Sequence, residues 1–283
     1  MASIWHTVAT KDVRLLQHQL GQVFALPKEY AFLNYIRCHD DIGWGLDYAY
    51  LTQFGFGEVP HKRYLNDYLT GKWPGSPSRG ELYNDDPRLG DARLCGTTAS
   101  LCGVEAAEND ADEALLNRAL RLDLTLHALV LTMSGLPILY SGDELAQKND
   151  YTYHDDPLKA ADSRYLHRGC LDWEAAARIK DKDTVEHYIF SALRCLEMFR
   201  SAHRVFDSQA DVWIVSTGND RVLGIGRYFS GEKLIALFNF SESEQTVSIE
   251  EMGNYIDVST GEPCGLNSIS LLPCGHRWLI CEF

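Results

Sequence analysis

Positive charge is scarce in this sequence. Lysine and arginine number 26 against 40 aspartates and glutamates, for a formal net charge of −14. A nucleic-acid binder needs basic surface to neutralise phosphates, so that class of partner is excluded. Long apolar runs are missing too. None approaches the ~18 residues of a membrane span, so no membrane partner is expected. Met1 to Val8 carry neither the basic stretch nor the apolar stretch of a secretory leader, and a cytoplasmic protein is expected. The eight cysteines (Cys38, Cys95, Cys102, Cys170, Cys195, Cys264, Cys274 and Cys281) form no C-x-x-C pair and no finger-like spacing with histidine. Structural zinc is therefore not expected, and reduced thiols are. There is no internal repeat and no low-complexity tract. What remains is a globular chain of 283 residues with 45% hydrophobic content, enough for one large domain or two ordinary ones. Its acidity suits a neutral ligand such as a sugar.

One stretch stands out. Ala31-Phe32-Leu33 leads into Asn34-Tyr35-Ile36-Arg37-Cys38-His39-Asp40-Asp41-Ile42-Gly43-Trp44. A short apolar run ending in His-Asp-Asp and then Gly reads as a buried strand over 31–38 that delivers polar groups to its C-terminal end. That edge is where parallel sheets and barrels carry their chemistry. Two adjacent carboxylates resist joint ionisation in a dry pocket, so a site needs neighbours to hold them. A solvated turn is the competing reading.

Along the chain, residues 2–23 predict a helix with an irregularity at Thr10-Lys11-Asp12. Residues 45–92 are punctuated by Gly and Pro, with one short helix over 61–69. Such a long, weakly periodic segment reads as a lid or elaborated loop over the same site. Its many aromatics suit sugar faces, or else pack a small satellite core. Thr97 or Thr98 caps a small-residue helix. A confident helix covers 111–133 and stops at Gly135. Leu136-Pro137-Ile138-Leu139-Tyr140-Ser141-Gly142-Asp143-Glu144 is a second short strand at βαβ distance. Asp155-Asp156-Pro157 lacks the alternating oxygen ligands of a calcium loop. A last amphipathic helix covers 184–204. From about 210 the period becomes two. Strands at 212–215, 222–228, 233–240, 246–249, 255–258, 269–271 and 277–280 predict a small antiparallel sandwich.

His39-Asp40-Asp41-Ile42-Gly43-Trp44 after an apolar strand resembles the seventh-strand motif of the α-amylase superfamily of glycoside hydrolases (family 13). It looks most like the amylosucrase and sucrose-hydrolase branch. The stretch from Gly135 to Glu144 is similar to the eighth-strand pattern. Asp162-Ser163-Arg164-Tyr165-Leu166-His167-Arg168 is similar to a loop of the same enzymes, with Tyr165 where they have Trp. The implied fold is α/β: the C-terminal part of a (β/α)8 TIM barrel, strands 7 and 8 with helices and a long loop, over residues 1–207. An all-β antiparallel sandwich domain follows over 208–283. By the resemblance, Asp40 stabilises the transition state and His39 bonds the same sugar ring. Such bonds strengthen as the oxocarbenium ion forms. Asp41 and Arg93 contact the leaving or accepting sugar. Arg164 pairs with a carboxylate of an early loop, and Arg37 and Glu144 give structural support. No metal and no cofactor is called for. The substrate is sucrose or an α-glucan. Lys62 stands where amylosucrases tend to have Arg and cannot make planar bidentate contacts, so hydrolysis and glucan synthesis both stay open.

Retaining chemistry also needs a carboxylate nucleophile and an acid/base about 5 Å apart. The family places both well before His-Asp-Asp. Only 38 residues precede His39 here, with Asp12 and Glu29 their only carboxylates, and neither falls at a strand end. The expectation is a fragment of an α-glucosyl transferase or hydrolase, inactive alone and awaiting an N-terminal barrel half. The alternatives are a noncatalytic carbohydrate-binding module and a split enzyme completed by a partner.

Overall fold

The computed structural model describes residues 1–282. Helices α1 (Ala2–Thr10) and α2 (Arg14–Phe24) divide the stripe expected over 2–23. The break falls at Lys11, whose φ is 60°, and Asp12 accepts hydrogen bonds from the Arg14 main chain and side chain. Then come β1 (Leu33–Asn34), β2 (Ile42–Gly43), α3 (Tyr48–Leu51), α4 (Glu58–Leu69), β3 (Glu81–Asp86) and β4 (Asp91–Cys95). Helices α5 (Thr98–Cys102), α6 (Val104–Asn109) and α7 (Glu113–Thr132) lead to β5 (Leu136–Pro137), α8 (Trp173–Arg178) and α9 (Val185–Ala202). The remaining strands are β6 (Asp211–Val215), β7 (Val222–Phe229), β8 (Glu232–Asn239), β9 (Gln245–Val247), β10 (Tyr255–Asp257), β11 (Pro263–Cys264), β12 (Ile269–Leu271) and β13 (His276–Glu282).

Two expectations are corrected. The strand read over 31–38 is only two residues long and not buried, since Leu33 is 61% exposed. It pairs in parallel with β5, itself two residues long, whose Leu136 is 59% exposed. With one neighbour among the described residues, neither strand has a second apolar layer to cover it. The segment 45–92 is not weakly structured. It holds α3, α4 and the β3–β4 hairpin, to whose β4 strand β2 adds. The hairpin escapes a period-two reading because its register shifts between Tyr83 and Asp86. Asn84 turns there at a φ of 52°, which breaks the alternation. Other signals hold. Thr97 caps α5 by accepting from the Ser100 N–H, as a threonine N-cap should.

The chain forms two compact units. The first gathers Met1–Ala9, Tyr35–Asp123 and Leu139–Ser191. Its core holds Trp5, Ile36, Ile42, Trp44, Leu65 and Leu94, all nearly inaccessible. The buried indoles keep their N–H groups satisfied, as aromatic cores require. Trp5 Nε1 donates to the Ile36 carbonyl at 3.1 Å and Trp44 Nε1 to Asn66 Oδ1 at 2.6 Å. Asn66 in turn donates to the Gly90 carbonyl at 3.0 Å, tying the hairpin turn to α4. The aromatics of 45–92 mostly pack on one another. His61 lies 4.7 Å from Phe56 and 5.0 Å from His6, centroid to centroid, and Tyr64 meets Trp73 edge-on at 4.8 Å.

The second unit comprises Thr10–Asn34, Leu124–Ile138 and residues from Ala192 onward. Its six-stranded sheet has the order β11-β10-β13-β8-β7-β6, antiparallel at every pairing. A separate antiparallel pair, β9 with β12, completes the buried cluster of Ile235, Leu237, Val247, Ile269, Leu271 and Leu279. Here the period-two expectation succeeds, although the short β11 was not foreseen. Strand β13, last of these in sequence, lies in the middle of the sheet between β10 and β8. Gly226 faces Trp213 across β6 and β7, and a Cβ built there would lie 2.2 Å from the indole. The missing side chain gives the ring its seat. Arg227 is buried and donates to the carbonyls of Val205, Thr132 and Asp207 at 2.9, 2.9 and 3.1 Å. Burial lowers its pKa to about 9.

Candidate functional site

The site is assembled in the first unit around a bend at His39 and Asp40. Arg37 makes that bend. Its side chain is 1% exposed. Nε donates to the Gly96 carbonyl at 2.8 Å and Nη2 to the Asp40 carbonyl at 2.9 Å. Burial lowers the guanidinium's pKa, and Cys38, Cys95, Asp143 and Tyr140 act in the other direction. Both bonds go to main-chain carbonyls.

Outside this clamp the candidate side chains His39 and Asp40 face solvent. His39 and Asp40 have side chains 72% and 62% exposed, with His39 Nε2 at 3.5 Å from Asp40 Oδ2. Arg168 approaches Asp40 Oδ1 at 3.7 Å through Nη2 and donates from Nε to the His39 carbonyl at 2.6 Å. His167 is buried beneath them. Its Nδ1 accepts from the Gly96 N–H at 3.3 Å and its Nε2 faces the His39 carbonyl at 3.3 Å. Burial first, then Arg37, pushes its pKa down to about 3. A neutral ring protonated on Nε2 satisfies both contacts.

A second group lies along the hairpin. Arg93 in β4 pairs with Gly43 in β2 and with Tyr83 in β3. Its guanidinium fills the space a Cβ at Gly43 would occupy. The Arg164 guanidinium stacks over the Tyr83 ring, 4.7 Å from its centroid. It also grips Asp162 through Nε and Nη2 at 2.8 and 2.7 Å. That pair raises the pKa of Arg164, with Asp41 among the charges that add to the effect. The carboxylate partner of Arg164 thus stands two residues before it in the same loop. Arg93 and Arg164 therefore share one neighbourhood around Tyr83, and the charge of Asp41 acts on Arg164. Glu144 is set apart from these contacts: Oε2 accepts from the Gly142 N–H at 2.9 Å and closes its own turn. Lys62 is spoken for by Glu58 at 2.9 Å.

Sequence reading passed over His167, Arg168 and Tyr83. The first two lie in the same quoted segment as Arg164, and only their aim toward the His39 carbonyl distinguishes them. The arrangement as a whole presents an exposed imidazole, two carboxylates and three guanidiniums from a braced backbone. Such a set can bind vicinal hydroxyls and stabilise a developing positive charge.

No family model matches the chain. It is 28% identical over 155 residues to glucosylglycerate phosphorylase of Escherichia coli (strain K12), a match covering 54% of this chain and 27% of that protein. Its fold aligns with the crystal structure of sucrose 6F-phosphate phosphorylase from Thermoanaerobacter thermosaccharolyticum at a TM-score of 0.59 and 16% identity. That alignment covers 95% of this chain and 46% of the other. The chain therefore spans less than half the length of either relative. Over that part it is similar in sequence to glucosylglycerate phosphorylase and shares the fold of sucrose 6F-phosphate phosphorylase.

Proposed function

We propose that the chain supplies one wall of an α-glucoside-binding site of the α-amylase superfamily. In this reading β1 and β5 are the seventh and eighth strands of a (β/α)8 barrel. Residues 1–207 are the barrel portion and 208–283 the sandwich domain. Asp40 stabilises the oxocarbenium-like transition state. His39, Asp41, Arg93 and Arg164 contact the sugars, while Arg37 and Glu144 brace the wall. The observation that carries the reading is the Arg37 clamp. It holds the main chain of Asp40 rigid while leaving the His39 and Asp40 side chains open to a ligand. Preorganisation of this kind is what transition-state stabilisation requires.

The substrate class is a small α-glucoside such as sucrose, or an α-glucan. Both relatives are phosphorylases by name, which favours phosphate as acceptor over polymer synthesis. The cysteines form no C-x-x-C pair, which goes with reduced thiols and a cytoplasmic setting. The described residues, tested alone, bind sugar weakly and do not turn it over, because nucleophile and acid/base come from strands carried elsewhere, on a longer chain or a partner. The exposed Leu33, Leu136 and Ile138 on the two-stranded parallel sheet favour such completion, since they offer an apolar layer for further barrel strands. Titration calorimetry with sucrose and with glucosylglycerate tests the proposal. Binding should be weak, fall at least about tenfold in Asp40→Asn and His39→Ala, and be accompanied by no product. Equal affinity in both variants would overturn it.

A further inference from the structure

We propose that Cys38, His39 and Asp40 form a binding site for a thiophilic divalent cation, zinc or cadmium. The three side chains are consecutive, yet their ligand atoms all lie within 4.8 Å of one another. The separation of His39 Nε2 from Asp40 Oδ2 is already 3.5 Å. Donors about 2.0–2.3 Å from a tetrahedral zinc stand about 3.3–3.8 Å apart, so a small rotation of exposed side chains closes the set.

The bend makes this convergence possible, and the surrounding structure fixes the bend. Arg37 holds the Asp40 carbonyl from below and Arg168 holds the His39 carbonyl. The Asp40 N–H donates to Cys38 Sγ at 3.4 Å. Ordering cost is therefore low, because the backbone is already in place. One thiolate, one imidazole and one carboxylate select zinc or cadmium over magnesium or calcium, which prefer oxygen alone. Three protein ligands leave the fourth position open to water or to a ligand. Cys38 is half-buried while His39 and Asp40 are exposed, so the ion has a path from solvent. Arg168 opposes the site, being a cation 3.7 Å from Asp40 Oδ1. Its charge limits the affinity and supplies a test of position.

Binding releases the Cys38 thiol proton to solvent as the sulfur–metal bond forms, with no change of oxidation state. The inference does not depend on the glucoside reading, because its readout is a metal–thiolate bond. Cadmium titration of the reduced 283-residue protein, followed by the ultraviolet thiolate-to-cadmium charge-transfer band, should show one site per chain. Zinc should displace the cadmium. Cys38→Ser should abolish the band, and His39→Ala should weaken binding by more than about 100-fold, beyond the loss of an outer-shell partner (~10–100-fold). Cys170→Ser and Cys195→Ser, which remove the exposed thiols elsewhere, should leave it intact. Arg168→Gln, which keeps a donor for the His39 carbonyl but removes the charge, should tighten binding several-fold. A band that survives Cys38→Ser, or affinity unchanged in His39→Ala, would overturn the assignment. The replaced side chain of His39 is exposed, and near-ultraviolet circular dichroism of each variant confirms that the fold is kept.

Discussion

Arg37 and Asp40 are joined through the backbone rather than as an ion pair: the buried guanidinium donates 2.9 Å to the Asp40 carbonyl, and the Asp40 carboxylate lies outside, exposed beside His39 and Arg168. Charge and fold are thereby separated within three residues. Arg37→Met leaves the Asp40 and Gly96 carbonyls without their donor, and each buried acceptor left unpaired costs about 1–3 kcal/mol. We expect a loss of about 3 kcal/mol in urea unfolding, with Arg37→Lys in between because an ammonium lacks the planar fork. A change in midpoint too small to resolve for Arg37→Met would refute the clamp.

Arg168 should behave in the opposite way. Its side chain is a partly exposed tether, and exposed pairs contribute about 0–1 kcal/mol. Arg168→Ala should barely move the unfolding midpoint. Freed of the tether at the His39 carbonyl, the bend loses definition, and sugar affinity should fall about tenfold. A large stability loss with intact affinity would assign Arg168 to packing instead.

Acid should destabilise the first unit through two histidines. Burial holds His61 down to about 4 and His167 down to about 3. In the unfolded chain both titrate near 6.5. Between these values the unfolded state binds more protons, so stability rises with pH. The contribution is complete above about pH 7 and is lost as pH falls through 6.5 toward 4 and 3, at most about 1.4 kcal/mol per unit for each histidine. His61 has both ring nitrogens buried without a hydrogen-bond partner. His61→Phe, an apolar ring in an aromatic nest, should flatten the pH dependence of the melting temperature. An unchanged slope from pH 7 to 5 would show that His61 does not titrate in unfolding.

In the sandwich, Gly226→Ala drives a methyl into the Trp213 indole. Overpacking of that kind costs about 1–3 kcal/mol. Trp213→Val should relieve it, so the double variant should be less destabilised than the sum of the single ones. Additive losses would mean that the ring is not seated on the glycine.

Much of this was legible in the sequence, for reasons that differ by region. The β6–β13 sheet announces itself because one face of each strand is buried, which forces period two. Helices α7 and α9 do so through their apolar stripes. The segment 45–92 hides its hairpin because Asn84 breaks the register and the turn from Asp86 to Gly90 is polar. The strand at 33–34 is shorter than its apolar run, because Leu33 is exposed rather than buried. Site residues legible as motif, from His39 to Asp41, lie on one continuous stretch. Those missed, His167 and Arg168, meet that stretch from about 130 residues away in sequence, a distance no local pattern spans. The nearness of Cys38 Sγ to His39 and Asp40 was equally invisible, since adjacent residues point together only on a bend.

The placement of β13 bears on how the protein is made. The ribosome delivers β7, β8 and β10 before the strand that separates β8 from β10 exists. Until residues 276–282 emerge, the two partner edges wait unpaired, each an open template for pairing with another nascent chain.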